Sequence, residues 1–316
     1  MLKIIIDTDI GCDCDDAGAL AVAHCLEKNG YCNLISMTHC TSRVDGCCAI
    51  DIINRYYGRE DIPVGILQTD GFLDNPDKPY YSAYLKEHYP SRFQNKVQCP
   101  DAVRVLREAL FSVDEFDAVT LVGIGPMVNL YNLLCSGPDD ISPLSGIELL
   151  KAVQCRLVVM ACCFDDTMQS MLEDSAEWNV YQDIVSAQYV YKNWPTEIYT
   201  IPFETGVHIM TGGTLALLPE NNPIRVSYEQ YAQSSVLLRS SWDQCAVGFA
   251  IAPDLGLWTL SEKGKITVKD NGQSIFIPDE NGKQHIVGVS SVEKAQVFFE
   301  ELMIRQFGEL PLNCNS

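Results

Sequence analysis

The chain has 316 residues, of which 47% are hydrophobic and 20% charged, and a formal net charge of −20. That profile fits a packed globular protein of one large α/β domain or two ordinary ones, and it excludes a disordered chain. The acidity leaves no basic footprint to neutralise phosphates, so neither nucleic acid nor an anionic membrane surface is expected as a partner. The start "MLKIIIDTD" lacks the shape of a secretion signal, and no run of about 18 apolar residues occurs. A cytoplasmic protein is expected. Fourteen cysteines in such a chain read as reduced, mostly buried thiols. No C-x-x-C pair is present, and the doublets Cys47–Cys48 and Cys162–Cys163 do not match zinc-site spacing.

In chain order, "LKIIID" reads as a buried strand and Asp16 to Lys28 as a helix. "NLISMTH" is the next strand, then a helix from Val44 to Tyr57 and a short strand in "DIPVGIL". The alternation resumes with helix "DAVRVLREAL", strand "DAVTLVGIG", helix "MVNLYNLLC" and strand "CRLVVMA". Helix "VYQDIVSAQYVYKN" and strand "TEIYTIPF" follow. Strands alternating with helices imply right-handed crossovers. Nearly continuous apolar strands imply a sheet covered on both faces. The expected fold is an open, mostly parallel, Rossmann-like sheet with helices on both faces, forming a single domain over residues 1–316. Turn signals at "EKGK", "DNGQ" and "ENGK" mark a hairpin-rich antiparallel unit over about residues 256–290, and a final helix closes the chain over 291–305.

The stretch "KIIIDTDIGCDCDDAGAL" gathers Asp7, Asp9, Asp13, Asp15 and Asp16 behind the first strand. In open parallel sheets, ligands bind beyond the carboxyl ends of the strands. A helix N-terminus stabilises an acidic group by about 0.3–1 kcal/mol, too little to hold several crowded carboxylates together. A divalent cation is the economical explanation, and the all-oxygen donors point to Ca²⁺ or Mg²⁺. Asp13 has a simpler reading as a helix cap. An EF-hand loop is excluded, because a count from Asp13 places Ala17 and His24 at ligand positions five and twelve. "DTD" also satisfies the strand–Asp-x-Asp start of haloacid-dehalogenase-type phosphatases, whose companion residues are not evident.

"IIIDTDIGCDCDDAGAL" resembles the N-terminal signature D-x-D-P-G-x-D-D-A-x-A-L of the inosine–uridine-preferring nucleoside hydrolases, with Ile10 for the proline and two extra residues before the paired aspartates. The likeness continues in order through "TLVGIGPMVNL" at 120–130, "AEWN" at 176–179 and "WDQCAV" at 242–247. The resemblance implies that Asp9, Asp16, Asp243 and the backbone carbonyl of Ile124 bind Ca²⁺. It further implies that Asp9 takes the proton of a water attacking C1′ of a ribose, that Asp15, Glu177 and Asn179 hold sugar hydroxyls, and that Asp7 stands behind the ligands. The implied activity is hydrolysis of the N-glycosidic bond of a ribonucleoside or related riboside, by a homodimer or homotetramer.

Three departures fall on the leaving group or the outer sugar contacts. Trp242 replaces the family histidine, Met171 replaces an asparagine, and "THCTSR" replaces a segment with an asparagine. Trp242 could stack on a base or merely pack, and His39 could be an acid or a satisfied core histidine. The tyrosine-rich loop within residues 68–93 could be a lid or a surface loop. A weakened homologue that only binds a ribosyl ligand remains an alternative, as does the phosphohydrolase; retention of Asp9 favours the hydrolase.

Overall fold

The computed structural model describes residues 1–75, 80–114, 116–172 and 175–305. Residues 76–79 of the tyrosine-rich loop and positions 306–316 of the expected domain, Cys314 among them, lie outside them. The strands are β1 (Lys3–Thr8), β2 (Asn33–His39), β3 (Val64–Ile66), β4 (Val119–Ile124), β5 (Arg156–Met160), β6 (Ile198–Ile201), β7 (Met210–Thr211), β8 (Arg239–Ser240), β9 (Trp258–Leu260), β10 (Gly264–Val268), β11 (Ser274–Pro278) and β12 (Gln284–Val289). Ten of them form one sheet in the order β11-β10-β12-β6-β5-β4-β1-β2-β3, with β9 alongside β12. The run from β3 to β6 is parallel throughout.

The chain leaves β1 toward β2 and β3, then returns to β4 on the other side of β1 and continues to β6. The reversal creates a crevice at the carboxyl ends of β1 and β4, the place where open sheets bind ligands. Ile4, Ile5 and Ile6 are fully buried. Ile4 and Ile6 join the core on one face and Ile5 the core on the other, which is why β1 carries no polar alternation.

The expected hairpin is β10–β11, paired antiparallel. It does not hang off the domain. β12 pairs in parallel with β6, so the hairpin region continues the main sheet. The single helix expected over "VYQDIVSAQYVYKN" is two, Trp178–Gln182 and Ile184–Asn193. Asp183 breaks it at φ −152°, ψ 75°, and its carboxylate accepts from the Ser186 amide and hydroxyl to cap the second piece. All thirteen described cysteines are free and eleven of them are buried, so most serve as small core residues.

His24 is buried, stacks on Tyr57 at 4.7 Å and meets Asn54 Oδ1 at 2.8 Å. Burial lowers its pKa from 6.5 to about 4. The unfolded chain takes up that proton first, so the contribution is complete above pH 6.5 and disappears as pH falls to 4. Roughly 3 kcal/mol is at stake. The urea midpoint of wild type should therefore fall relative to that of His24→Phe as the pH drops through that window, and parallel curves would contradict this.

Candidate active site

Two helix N-termini meet at the crevice. The helix Asp15–Lys28 brings Asp15 and Asp16 in its first turn, and the helix Trp242–Ile251 brings Asp243 in its own. The two helices pack closely because Gly18 has no side chain: a Cβ there would lie 2.5 Å from Gln244 Nε2 and 2.6 Å from the Tyr228 hydroxyl. One carboxylate oxygen from each of Asp15, Asp16 and Asp243 lies within 4.8 Å of the others. All three are at least nine-tenths buried. Asp15 Oδ2 accepts the Asp243 amide at 3.2 Å, and the Thr8 hydroxyl donates to Asp16 Oδ1.

Asp9 lies on the same cleft, just beyond the end of β1, and Ile124 at the end of β4 stands opposite Thr8 in the sheet. Burial is the main force raising the Asp9 carboxyl to about 7, with the charges of Asp13, Glu177 and Asp7 adding to it. Asp15, Asp16 and Asp243 are pushed well above the carboxylate range by burial first, and then by neighbouring charges: Asp13 on Asp15, Asp9 and Asp15 on Asp16, and Asp15 and Asp16 on Asp243. Such a group cannot be fully ionised by its own means. A divalent cation supplies the missing charge, and hard carboxylate and carbonyl oxygens suit Ca²⁺ or Mg²⁺. The residues present therefore fit such an ion.

Asp7 faces away from the cleft. It accepts from the Thr38 hydroxyl at 2.5 Å and from Asn129 Nδ2 at 2.8 Å, and Asn129 also donates to the His39 carbonyl at 3.2 Å. Through Thr38 and Asn129 it ties the ends of β1 and β2 to the helix after β4. His39 has both nitrogens engaged, Nδ1 with the Thr8 carbonyl at 3.0 Å and Nε2 with the Thr41 hydroxyl at 2.8 Å. The carbonyl can only accept, so Nδ1 carries the proton. His39 is a core histidine.

The cleft, of about 800 Å³, has two unlike walls. Glu177, Asn179, Trp178 and Met160 form one. Glu177 caps its helix, accepting from the amides of Asn179 at 2.9 Å, Val180 at 3.1 Å and Cys162 at 3.2 Å. Capping and lining the cleft are one arrangement here, because the cap holds the carboxylate in place. Cys162 presents its amide from a left-handed backbone at φ 74°, a strained conformation for a residue with a side chain. Asn179 Nδ2 donates to the Met160 carbonyl at 3.1 Å, which turns its amide group toward the end of β5.

Trp242, Phe203, Tyr231 and Arg239 make the other wall. The Trp242 indole N–H donates to the Phe203 carbonyl at 2.9 Å, and the two rings stack at 5.3 Å. That N–H is committed, so Trp242 does not replace the family histidine as a proton donor. Met171 is 77% exposed at a helix end and is not among the described residues that line the cleft, so it does not take the place of the expected asparagine. Of the tyrosine-rich loop, Tyr80 lines the cleft, and the helix Tyr81–His88 is tied to its rim by the Tyr81 amide on the Gly11 carbonyl at 3.2 Å.

The structure thus gathers Asp9, Asp15, Asp16, Ile124, Glu177, Asn179, Trp242 and Asp243 around one cleft. The tight carboxylate group contains Asp15 and not Asp9. Sequence reasoning missed Arg239, Phe203 and Tyr231, and it left Asp13 as a cap. The two residues added to the signature were the available clue, since Asp13 sits among them and pairs with Arg239. Gly125 matters for space: a Cβ there would lie 2.8 Å from Asp9 Oδ1 and 2.9 Å from its amide nitrogen. Gly125→Ala is expected to displace Asp9 and lower kcat/KM at least tenfold with the fold retained by circular dichroism. Unchanged kcat/KM would show that Asp9 tolerates the shift.

A crevice at the switch of a parallel sheet, lined by the acidic first turns of two helices and by Glu177 and Asn179, defines an α/β protein with a candidate divalent-ion site. Residues 4–298 match the family model described as inosine-uridine preferring nucleoside hydrolase, and the chain belongs to that family. It is accordingly a hydrolase acting on N-glycosyl compounds. Among solved structures, an inosine-guanosine nucleoside hydrolase is similar at TM-score 0.69 and 18% identity, covering 96% of this chain and 98% of that one. The inosine-uridine preferring nucleoside hydrolase from Bacillus anthracis is similar at TM-score 0.67 and 17% identity, covering 96% and 99%. A plant nucleoside hydrolase is similar at TM-score 0.67 and 17% identity, covering 95% and 98%. No curated protein matches the chain in sequence.

Proposed function

We propose that the protein hydrolyses the N-glycosidic bond of a ribonucleoside or related riboside with Ca²⁺ as its metal, giving ribose and free base. The observation that carries this reading is the buried group of Asp15, Asp16 and Asp243 on the cleft that Asp9, Glu177 and Asn179 also line. Asp9, Asp16, Asp243 and the Ile124 carbonyl would hold the ion, which when bound lowers the pKa of a water and receives sugar hydroxyls.

Asp9 takes the proton of the attacking water as general base. Asp15, adjacent to the ion site, grips a ribose hydroxyl with the oxygen that the Asp243 amide leaves free. Glu177 and Asn179 hold the remaining hydroxyls. The carboxylates around C1′ also stabilise the positive charge that grows on the ring as the bond breaks, as in glycoside hydrolysis generally. Free thiols throughout the described chain suit a reducing compartment, and we place the protein in the cytoplasm.

Ribose release from a nucleoside panel, with Ca²⁺ or with EDTA, tests the reading. The panel includes 4-nitrophenyl riboside, whose leaving group departs without help. Calcium-dependent release is expected. Tight ribose binding without release from any substrate would point instead to a ribosyl-binding homologue.

A further inference from the structure

An N-glycosidic bond breaks only if something takes up the charge that the departing base carries away. The aromatic wall is where a flat heterocycle fits, and it lacks an evident acid. The Trp242 N–H is bonded to a carbonyl, and burial pushes the Tyr231 hydroxyl up to about 12. What the wall does carry is a cation. Arg239 lines the cleft, with its guanidinium carbon 4.9 Å from the Trp242 ring and 5.3 Å from the Tyr231 ring. The other charged residues lining the cleft are acids.

Arg239 is fixed in place. Its Nε donates to both Asp13 oxygens, at 2.9 and 3.1 Å, and its Nη2 also donates to Asp13 Oδ2. Asp13 is held in turn by the Cys14 amide at 2.7 Å. Nη1 has no partner among the described residues. The pair joins the added segment of the first loop to the strand before the Asp243 helix, 226 positions apart.

We propose that Arg239 activates the leaving group, hydrogen-bonding the departing base through its unpaired N–H groups and stabilising it as an anion, with no proton supplied by the protein. The proposal rests on the riboside-hydrolase reading above. The C1′–N bond breaks heterolytically and both electrons leave on the base nitrogen. The water oxygen bonds to C1′ and its proton passes to Asp9; the base anion takes a proton from solvent, and Asp9 returns its own. A guanidinium is donor-only, so the edge of the base that meets it must offer a carbonyl oxygen or an unprotonated ring nitrogen. An exocyclic amine at that edge would face donors alone. Asp13 is a positioning residue, because it aims the fork without touching the base.

The test compares kcat/KM of wild type, Arg239→Met, Arg239→Lys and Asp13→Asn on inosine, uridine and 4-nitrophenyl riboside, each protein checked by thermal melting. Removing a donor that faces developing charge typically costs about 100-fold or more. Arg239→Met is expected to lose that much on inosine and uridine and less than about fivefold on the nitrophenyl riboside, which needs no such donor. Arg239→Lys should recover part of the loss, and Asp13→Asn should show the same selectivity more weakly. Equal losses on all three substrates, or none, would overturn the proposal. Wild-type silence on all three would instead sink the hydrolase reading and this proposal with it, a pattern that no failure of Arg239 alone produces.

Discussion

Asp9→Asn is expected to lower ribose release by about three orders of magnitude, within the range typical of a lost general base. Asparagine keeps the size of the side chain and one carbonyl oxygen, but it cannot take a proton from water. The effect should fall on kcat. Ribose binding, which draws on Asp15, Glu177 and Asn179 as well, should survive within about tenfold, and titrating free ribose into the variant with Ca²⁺ present measures it directly. The buried setting favours this division. The burial that raises the metal-free Asp9 carboxyl to about 7 also keeps bulk solvent from taking over its role in the variant. A variant retaining full turnover would remove Asp9 from that role.

Chelation should have the second large effect, and it should depend on pH. Without a cation, the folded Asp9 carboxyl titrates near 7, against 3.8 for the ordinary group. Between those values the folded form binds the extra proton, so the stability of the metal-free protein falls as pH rises through the window. Asp15, Asp16 and Asp243 shift in the same direction. Bound Ca²⁺ removes the penalty, so its stabilisation should grow over the same span. A ligand at 100 times its Kd adds about 2.7 kcal/mol, which is several degrees in Tm for a chain of this size. The gap between Tm with Ca²⁺ and Tm with EDTA should be small at pH 5 and wide at pH 8. Turnover should vanish with EDTA and return with Ca²⁺. A gap that does not change with pH would mean that the carboxylates stay ionised without the ion.

What the sequence could reveal follows from distance along the chain. The acidic turn behind β1 was legible because its aspartates lie within ten residues and follow a buried strand. Asp243 was placed only through the family resemblance, since nothing local ties "WDQ" to a turn more than 220 residues earlier. Its helix, Trp242–Ile251, is buried along nearly its whole length and shows no amphipathic stripe. The Arg239–Asp13 pair escaped for a related reason: the tertiary structure alone brings the two together. At Asp183 the helical pattern ran unbroken, and local hydrogen bonding to Ser186 overrode it. Glu177 was placed at the site only through the resemblance; in the structure the same carboxylate caps the helix and lines the cleft.

The partnership between β12 and β6 sets an order of assembly. Ile198, Tyr199 and Thr200 find their neighbours in Gln284, His285 and Ile286, roughly 86 residues downstream. During synthesis, that flank of the nascent sheet is left with bare amide and carbonyl groups until residues 284–286 leave the ribosome. The final strands therefore act as a closing seam, and the growing polypeptide is most prone to stick to its copies just before that seam forms.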